Sequence, residues 1–85
     1  MKLNIALCDD EAADLKYEEE LISSVLPDNI DWVIDSFISP ADMLKSDKIY
    51  NMVFLDVEMD DMNGIELARK LSEKKKDCMV FFITN

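Results

Sequence analysis

Four short apolar runs, each separated from the next by a longer polar stretch, constrain this chain more than any other feature. The first run, Lys2 to Cys8, carries Leu3, Ile5, Ala6 and Leu7 and reads as a buried strand. From Asp10 to about Leu26 the spacing turns helical, with Ala12, Leu15, Ile22 and Leu26 recurring on one stripe and Glu18, Glu19 and Glu20 on or near the solvent side. Pro27 stops that helix, and Asp28-Asn29 supplies a turn. Trp32 to Ile38, aromatic and β-branched, is a second strand. Ser39 as N-cap and Pro40 at the first helical position open a short helix that presents Met43 and Leu44. Met52 to Leu55 is apolar on successive residues, as in a strand covered on both faces. A polar loop runs from Asp56 to Asn63. Gly64 to about Lys75 then forms a helix with Ile65, Ala68 and Leu71 on one stripe. Cys78 to Ile83 completes the series as a fourth buried strand.

The alternation β-α-β-α-β-α-β implies an α/β, flavodoxin-like doubly wound parallel sheet. Right-handed crossovers place the second strand on one side of the first and the others on the opposite side, giving the order 2-1-3-4. The same rule puts the first helix on one face and the other two on the opposite face.

At 85 residues the chain holds one domain. Nineteen acidic against nine basic residues leave a net charge of −10, which argues against this segment holding nucleic acid or an anionic membrane. No apolar run reaches the roughly 18 residues of a membrane span, and MKLNIALCDDE turns acidic too soon for a signal peptide. Cys8 and Cys78 are too few for a disulfide scaffold or a four-ligand zinc site, so a reducing cytoplasmic compartment is the simplest setting. The absence of histidine excludes His-based catalysis and His-ligated metals on this chain.

The chemistry gathers just after the strands. Asp9, Asp10 and Glu11 follow the first, Asp56 ends the third, and Thr84 ends the fourth. In a doubly wound sheet the ligand crevice lies at the carboxyl ends of the strands, at the switch point between the first and third. Three carboxylates placed there repel one another unless a cation or proton intervenes. Hard oxygen ligands suggest Mg2+, and an aspartate beside it can act as a nucleophile. Thr84 is placed to donate to a phosphoryl oxygen on Asp56. Taken singly, each residue has a plainer reading. Asp9 or Asp10 could cap the first helix, Asp56 could be an ordinary strand end, Asn63-Gly64 an ordinary turn, and Thr84 a surface β-former.

Three blocks, IALCDDE from Ile5 to Glu11, VFLDVEMDDMNGIELA from Val53 to Ala68, and VFFITN from Val80 to Asn85, carry a family resemblance. The chain resembles the receiver domain of bacterial two-component response regulators. The resemblance implies Asp56 as phosphoacceptor, Asp9 with Asp10 as the acidic pocket, and Thr84 as the switch hydroxyl. Asp10, Asp56 and the backbone carbonyl of Glu58 are implied as Mg2+ ligands. It also implies a sensor histidine kinase as phosphoryl donor and a downstream output domain; ALCDDE with FFITN is most similar to receivers that precede a LytTR-type DNA-binding domain.

Two departures stand out. Asp60 occupies the position after the loop methionine where the family usually has proline, leaving a less rigid, more acidic loop. The family domain also continues through a helix, a fifth strand ending in a phosphate-binding lysine, and a final helix. None of these lies within the 85 residues, which therefore correspond to the N-terminal portion of a receiver. Lys74, Lys75 and Lys76 are no substitute, since they end a helix that points to the opposite edge of the sheet. With one helix over four strands, half of one face is expected to be bare, and CMVFFI would be a free edge without proline or charge. Both of its alternating side-chain sets are apolar, so either could face the gap, and self-association through that strand and face is expected. Two competing functions remain. A haloacid-dehalogenase-type phosphohydrolase could use Asp56-Val57-Glu58, but its general acid is normally an aspartate where Glu58 stands, and Asp9-Asp10 would have no role. An inert interaction fragment is the other.

Overall fold

The computed structural model describes residues 2–74 and 77–84. Strand β1 (Lys2–Cys8) leads to helix α1 (Ala12–Val25), β2 (Asp31–Phe37), α2 (Pro40–Lys45), β3 (Met52–Asp56), α3 (Gly64–Lys74) and β4 (Met79–Ile83). The strands form one sheet in the order β2-β1-β3-β4, and every pairing is parallel. Lys75, to which the spacing extends the third helix, Lys76 and Asn85 lie outside the described residues.

Register decides what each face holds. Ala6 pairs with Val53, Cys8 with Leu55, and Val53 with Val80, so these side chains share one face. Met43 of α2 and Leu67 and Leu71 of α3 pack on it, forming with Ala6, Cys8, Tyr50, Val53, Leu55 and Met59 a continuous core. Ile5 pairs with Met52 and Leu7 with Phe54 on the opposite face, where α1 lies over β1 and β2. Ile5 and Leu7 are fully buried. Helix α1 is the only helix on that face among the described residues.

The stripe expected on the third helix is shifted. Ile65 is 62% exposed, and the buried positions are Gly64, Leu67 and Leu71, with Ala68 half-buried against the core. Leu67 and Leu71 are a full turn apart, so they and not Ile65 define the inward line. Neither Asp9 nor Asp10 caps α1; its N-cap position is Glu11, whose side chain makes no capping bond. Ser39 does cap α2, accepting from the Asp42 amide. Asn63 caps α3 through its Oδ1, which accepts from the Glu66 amide at 2.8 Å.

The third strand is not covered on both faces, nor is the fourth buried. Val53 and Leu55 are buried, but Met52 and Phe54 on the opposite face are only half-buried. On β4, Met79 is 61% and Phe81 37% exposed. Phe81 stacks on Phe54 with ring centroids 5.1 Å apart, at the part of the face that α1 does not reach. Phe82, on the helix-covered face, is also exposed because β4 is the edge.

Gly64 fixes how α3 meets the sheet. A Cβ there would sit 2.3 Å from the Asp56 carbonyl oxygen and 2.9 Å from its carbon, both backbone atoms. The Gly64 amide donates to the Val57 carbonyl at 3.0 Å, so the contact closes the 57–63 loop back onto the strand that carries Asp56. Gly64→Ala is expected to destabilise the fold by roughly 2–3 kcal/mol, the cost of overpacking against a rigid backbone. Urea unfolding of the two proteins checks this, and an unchanged midpoint contradicts it.

Candidate functional site

Asp9, Asp10 and Asp56 converge at the carboxyl ends of β1 and β3. One carboxylate oxygen from each lies within 4.8 Å of the others. Asp9 is fully buried and Asp56 is 5% exposed. Each of the three is held by a backbone amide. The Glu11 amide donates to Asp9 Oδ1 at 3.0 Å, and the Glu58 amide to Asp56 Oδ1 at 3.1 Å. The Asp60 amide donates to Asp10 Oδ2 at 2.8 Å. A proline at position 60 has no N–H to give, so this bond exists because the loop departs from the family's usual residue there.

Backbone ladders set the strand ends in register. The Asp9 amide donates to the Phe37 carbonyl, and the Val57 amide donates to the Ile83 carbonyl at 3.1 Å. The second bond brings the end of β4 beside the residue after Asp56. Thr84 follows directly and is exposed. An open cleft of about 530 Å³ adjoins the cluster, lined by Asp10, Glu11, Val57, Glu58, Met59, Asp60, Asn63 and Ile65. Met59 plugs the loop into the core, with its sulfur 3.8 Å from the Cys8 thiol. Lys74 donates instead to the Leu44 carbonyl of α2; Lys75 and Lys76 fall outside the described residues.

Glu18 overturns the expectation that it faces solvent. It is 6% exposed, the one buried residue of α1, and its Oε1 has no partner. Asp9 Oδ2 is likewise buried and unpartnered. The two carboxyls meet: burial, and then the Asp9 carboxylate beside it, push the Glu18 acid up to about 8. The signal lay in the spacing, because Leu15, Glu18 and Ile22 fall on one helical face and the glutamate occupies a core position.

Burial also raises Asp56 above the ordinary carboxylate range, partly offset by the Glu58 amide and reinforced by Asp9 and Asp10. A more basic carboxylate is a better nucleophile once ionised, and a nearby cation would favour its ionised form. Burial first, then the neighbouring acids, push the Cys8 thiol up to about 12, which makes it an inert core residue. The carboxylate oxygens of Asp10 and Asp56, with the Asp9 acid beside them, fit a hard divalent cation.

Comparison with known proteins decides the family. The sequence model for the response regulator receiver domain matches residues 5–85. The chain belongs to the response regulator receiver family. Over 48 residues it is 40% identical to the hybrid signal transduction histidine kinase L of Dictyostelium discoideum, covering 51% of this chain and 3% of that protein. The solved response regulator DrrB of Thermotoga maritima, an OmpR/PhoB homologue, superposes with a TM-score of 0.80 at 26% identity, over 99% of this chain and 36% of that one. The BeF3-activated DrrB receiver domain gives 0.81 at 26% identity, over 99% and 67%. Response regulator TrrA of Thermotoga maritima, solved in complex with Mg2+-BeF, gives 0.77 at 29% identity, over 96% and 69%. The chain thus spans a small part of the curated relative and 36% to 69% of these structures. The fold expected from the sequence, with strand order 2-1-3-4, is the receiver fold.

The receiver's buried acids give its stability a defined pH dependence. Glu18 has an ordinary value of 4.5 and a folded value of about 8, so between these the folded state holds a proton that the unfolded chain has lost. Raising pH through that window therefore favours unfolding, and Asp56, shifted the same way, adds to it. In metal-free buffer, urea-unfolding stability is expected to fall by on the order of 3 kcal/mol between pH 5 and 8. Stability that rises across this range contradicts the assignment.

Proposed function

We propose that this receiver accepts a phosphoryl group on the carboxylate of Asp56, with Mg2+ required, and so relays a signal to a downstream output. The observation that carries the reading is the convergence of Asp9, Asp10 and Asp56 at one end of the sheet in a chain of this family. TrrA, a relative in structure, is solved with Mg2+-BeF, which supports a cation and an anion sharing such a pocket. Here Asp10, Asp56 and the Glu58 backbone carbonyl would hold the ion, with Asp9 behind them as an acidic neighbour outside the ligand set. When bound, Mg2+ offsets the charge of the phosphate oxygens and of the clustered carboxylates.

The chain's own residues do the rest. Asp56 is aimed by the Glu58 amide on its Oδ1, which leaves its other oxygen to attack. An Asp56–phosphorus bond forms as the bond from phosphorus to the donor nitrogen breaks, and the imidazole leaves as the donor's product. Asp10, pinned by the Asp60 amide, keeps its carboxylate turned to the pocket. Thr84, at the end of β4, would donate to a phosphoryl oxygen and so carry the modification to that strand. This is a phosphoacceptor reading, in which the chain is modified and does not turn over phosphate esters.

The partners follow from the reading. The donor is the phosphohistidine of a sensor histidine kinase, and the setting is cytoplasmic. Among the described residues, no helix is long and apolar enough to cross a membrane. The output domain lies outside the 85 residues and is DNA-binding, of the LytTR type, which makes the protein a bacterial transcription regulator. Receiver structures are covered to 67% and 69% by this chain, which supports reading its 85 residues as the N-terminal portion of such a domain. A Mg2+-dependent label from a small phosphodonor, labile to base and to hydroxylamine, is expected on Asp56 of the 85-residue chain, slow and incomplete. Mass spectrometry of wild type and Asp56→Asn tests it, and equal labelling of the two refutes the assignment.

Self-association is the second part of the proposal. Phe54, Met79 and Phe81 line the bare part of the α1 face, and β4 is a free edge with no charge inside it. Tyr17, Leu21 and Val25, four residues apart on α1, are 64%, 52% and 74% exposed. Glu19, on the other flank of α1, bonds Ser36 of β2, which turns this apolar ridge toward the bare strands. Two copies that pair these surfaces remove them from water. Sedimentation equilibrium at micromolar concentration is expected to show dimers or larger species, shifted toward monomer in Phe81→Lys. A wild-type monomer with no dye-binding apolar surface contradicts it.

A further inference from the structure

Resting on the acidic-pocket reading above, we infer that Asp60 is a positioning residue of that pocket, acting through its backbone N–H, which clamps Asp10 and joins the two loops that carry the acids. Asp9 and Asp56 each accept from an amide two residues further along the same loop. Asp10 is held differently: its Oδ2 accepts from the Asp60 amide at 2.8 Å, across 50 residues of chain. The donor is fixed on both sides. Met59, directly before it, is buried with its sulfur 3.8 Å from the Cys8 thiol. Beyond it, the Gly64 amide closes the loop on the Val57 carbonyl at 3.0 Å. Asp60 is itself exposed, and what it gives Asp10 is the backbone donor.

Asp10 is the acid that needs such a clamp. Asp9 and Asp56 are buried, whereas Asp10 is half-buried and can turn toward water. Oxygens of the three acids lie within 4.8 Å of one another, and like charges at that range push the most exposed of them outward. The Asp60 amide opposes that push with a hydrogen bond to a charged acceptor, one of the stronger kinds. It takes Oδ2 and leaves the other oxygen of Asp10, a residue that lines the cleft, for the cation. A proline at position 60 has no N–H to give, whereas an alanine keeps it. The two substitutions therefore separate the donor from the charge of the Asp60 side chain.

Amide hydrogen exchange by NMR, on the 85-residue chain free of metal, reads the clamp directly. The Asp60 amide is expected to exchange about tenfold more slowly in wild type than in Asp10→Ala, where its acceptor is gone. Equal exchange in the two overturns the inference. Mg2+ titration followed by NMR gives the second arm. Asp60→Pro is expected to weaken binding about tenfold, while Asp60→Ala, which loses the same charge and keeps the N–H, stays within about threefold of wild type. An equal loss in the two would mean that position 60 acts by charge, and an unaffected Asp60→Pro would mean that the bond orients nothing; either overturns the assignment. Urea unfolding establishes that Asp60→Pro is folded, and if it is not, the exchange arm decides without it. Asp56→Asn, titrated alongside, separates the two levels: unchanged Mg2+ affinity there sinks the phosphoacceptor site, while exchange of the Asp60 amide still decides the clamp.

Discussion

Like-charge repulsion at the carboxyl end of a parallel sheet is the constraint to which the rest of this structure answers. Parallel pairing of β1 with β3 brings Asp9, Asp10 and Asp56 to one edge, and burial strips Asp9 and Asp56 of the water that would screen them. The backbone responds with one amide for each acid, from Glu11, Asp60 and Glu58. Two of these amides belong to the loop after β3, so the loop has to curl back over the strand end. Gly64 makes that possible, because any side chain there would strike the Asp56 carbonyl. The loop is also anchored from below by Met59 against Cys8. The site and the α3 crossover are therefore one construction, and a change in either is felt in the other.

The same topology leaves the two faces unequal. Helices α2 and α3 close the face that holds Ala6, Cys8, Val53 and Leu55. Helix α1 closes only the half of the other face above β1 and β2. Its sheet-facing stripe is used both to bury Ile5 and Leu7 and to bring Glu18 to the acidic pocket, so packing and site chemistry share one helix. Phe54 and Phe81 partly shield each other by stacking, which reduces but does not remove the apolar area left open. A loop lock steadies the far end of the covered face: Asp35 of β2 accepts from Lys48 at 2.8 Å and from the Tyr50 hydroxyl at 2.9 Å. The Lys48 ammonium holds Asp35 below the usual carboxylate range.

Much of this was legible from residue order. The switch from runs of apolar residues to helical spacing located all seven elements to within a few residues, and handedness alone ordered the strands. The acids at the strand ends came together as the switch-point rule requires. What escaped was the orientation of individual side chains. Glu18 was read as solvated because it sits in a run of glutamates, yet it occupies the inward position between Leu15 and Ile22. Composition cannot show which acid in such a run faces the core. Ile65 looked like core because it is apolar; one residue of helical rotation, fixed by the close seat of Gly64, turned it to solvent. On β4 every residue is apolar, so no alternation existed to mark which set faces α3 and which lies bare. The Asp60 amide bond to Asp10 was hidden for another reason: a backbone donor leaves no trace in side-chain chemistry.

The central claim is that Asp56, assisted by Mg2+ in a pocket of acids, takes up a phosphoryl group. Fluorine NMR with beryllium fluoride tests it most directly, since this phosphoryl mimic needs the aspartate and the cation together and no partner kinase. The account predicts bound fluorine resonances for the 85-residue chain that vanish when Mg2+ is chelated and are absent from Asp56→Asn. Bound resonances that persist in Asp56→Asn, or none at all in a folded wild-type chain saturated with Mg2+, would contradict it.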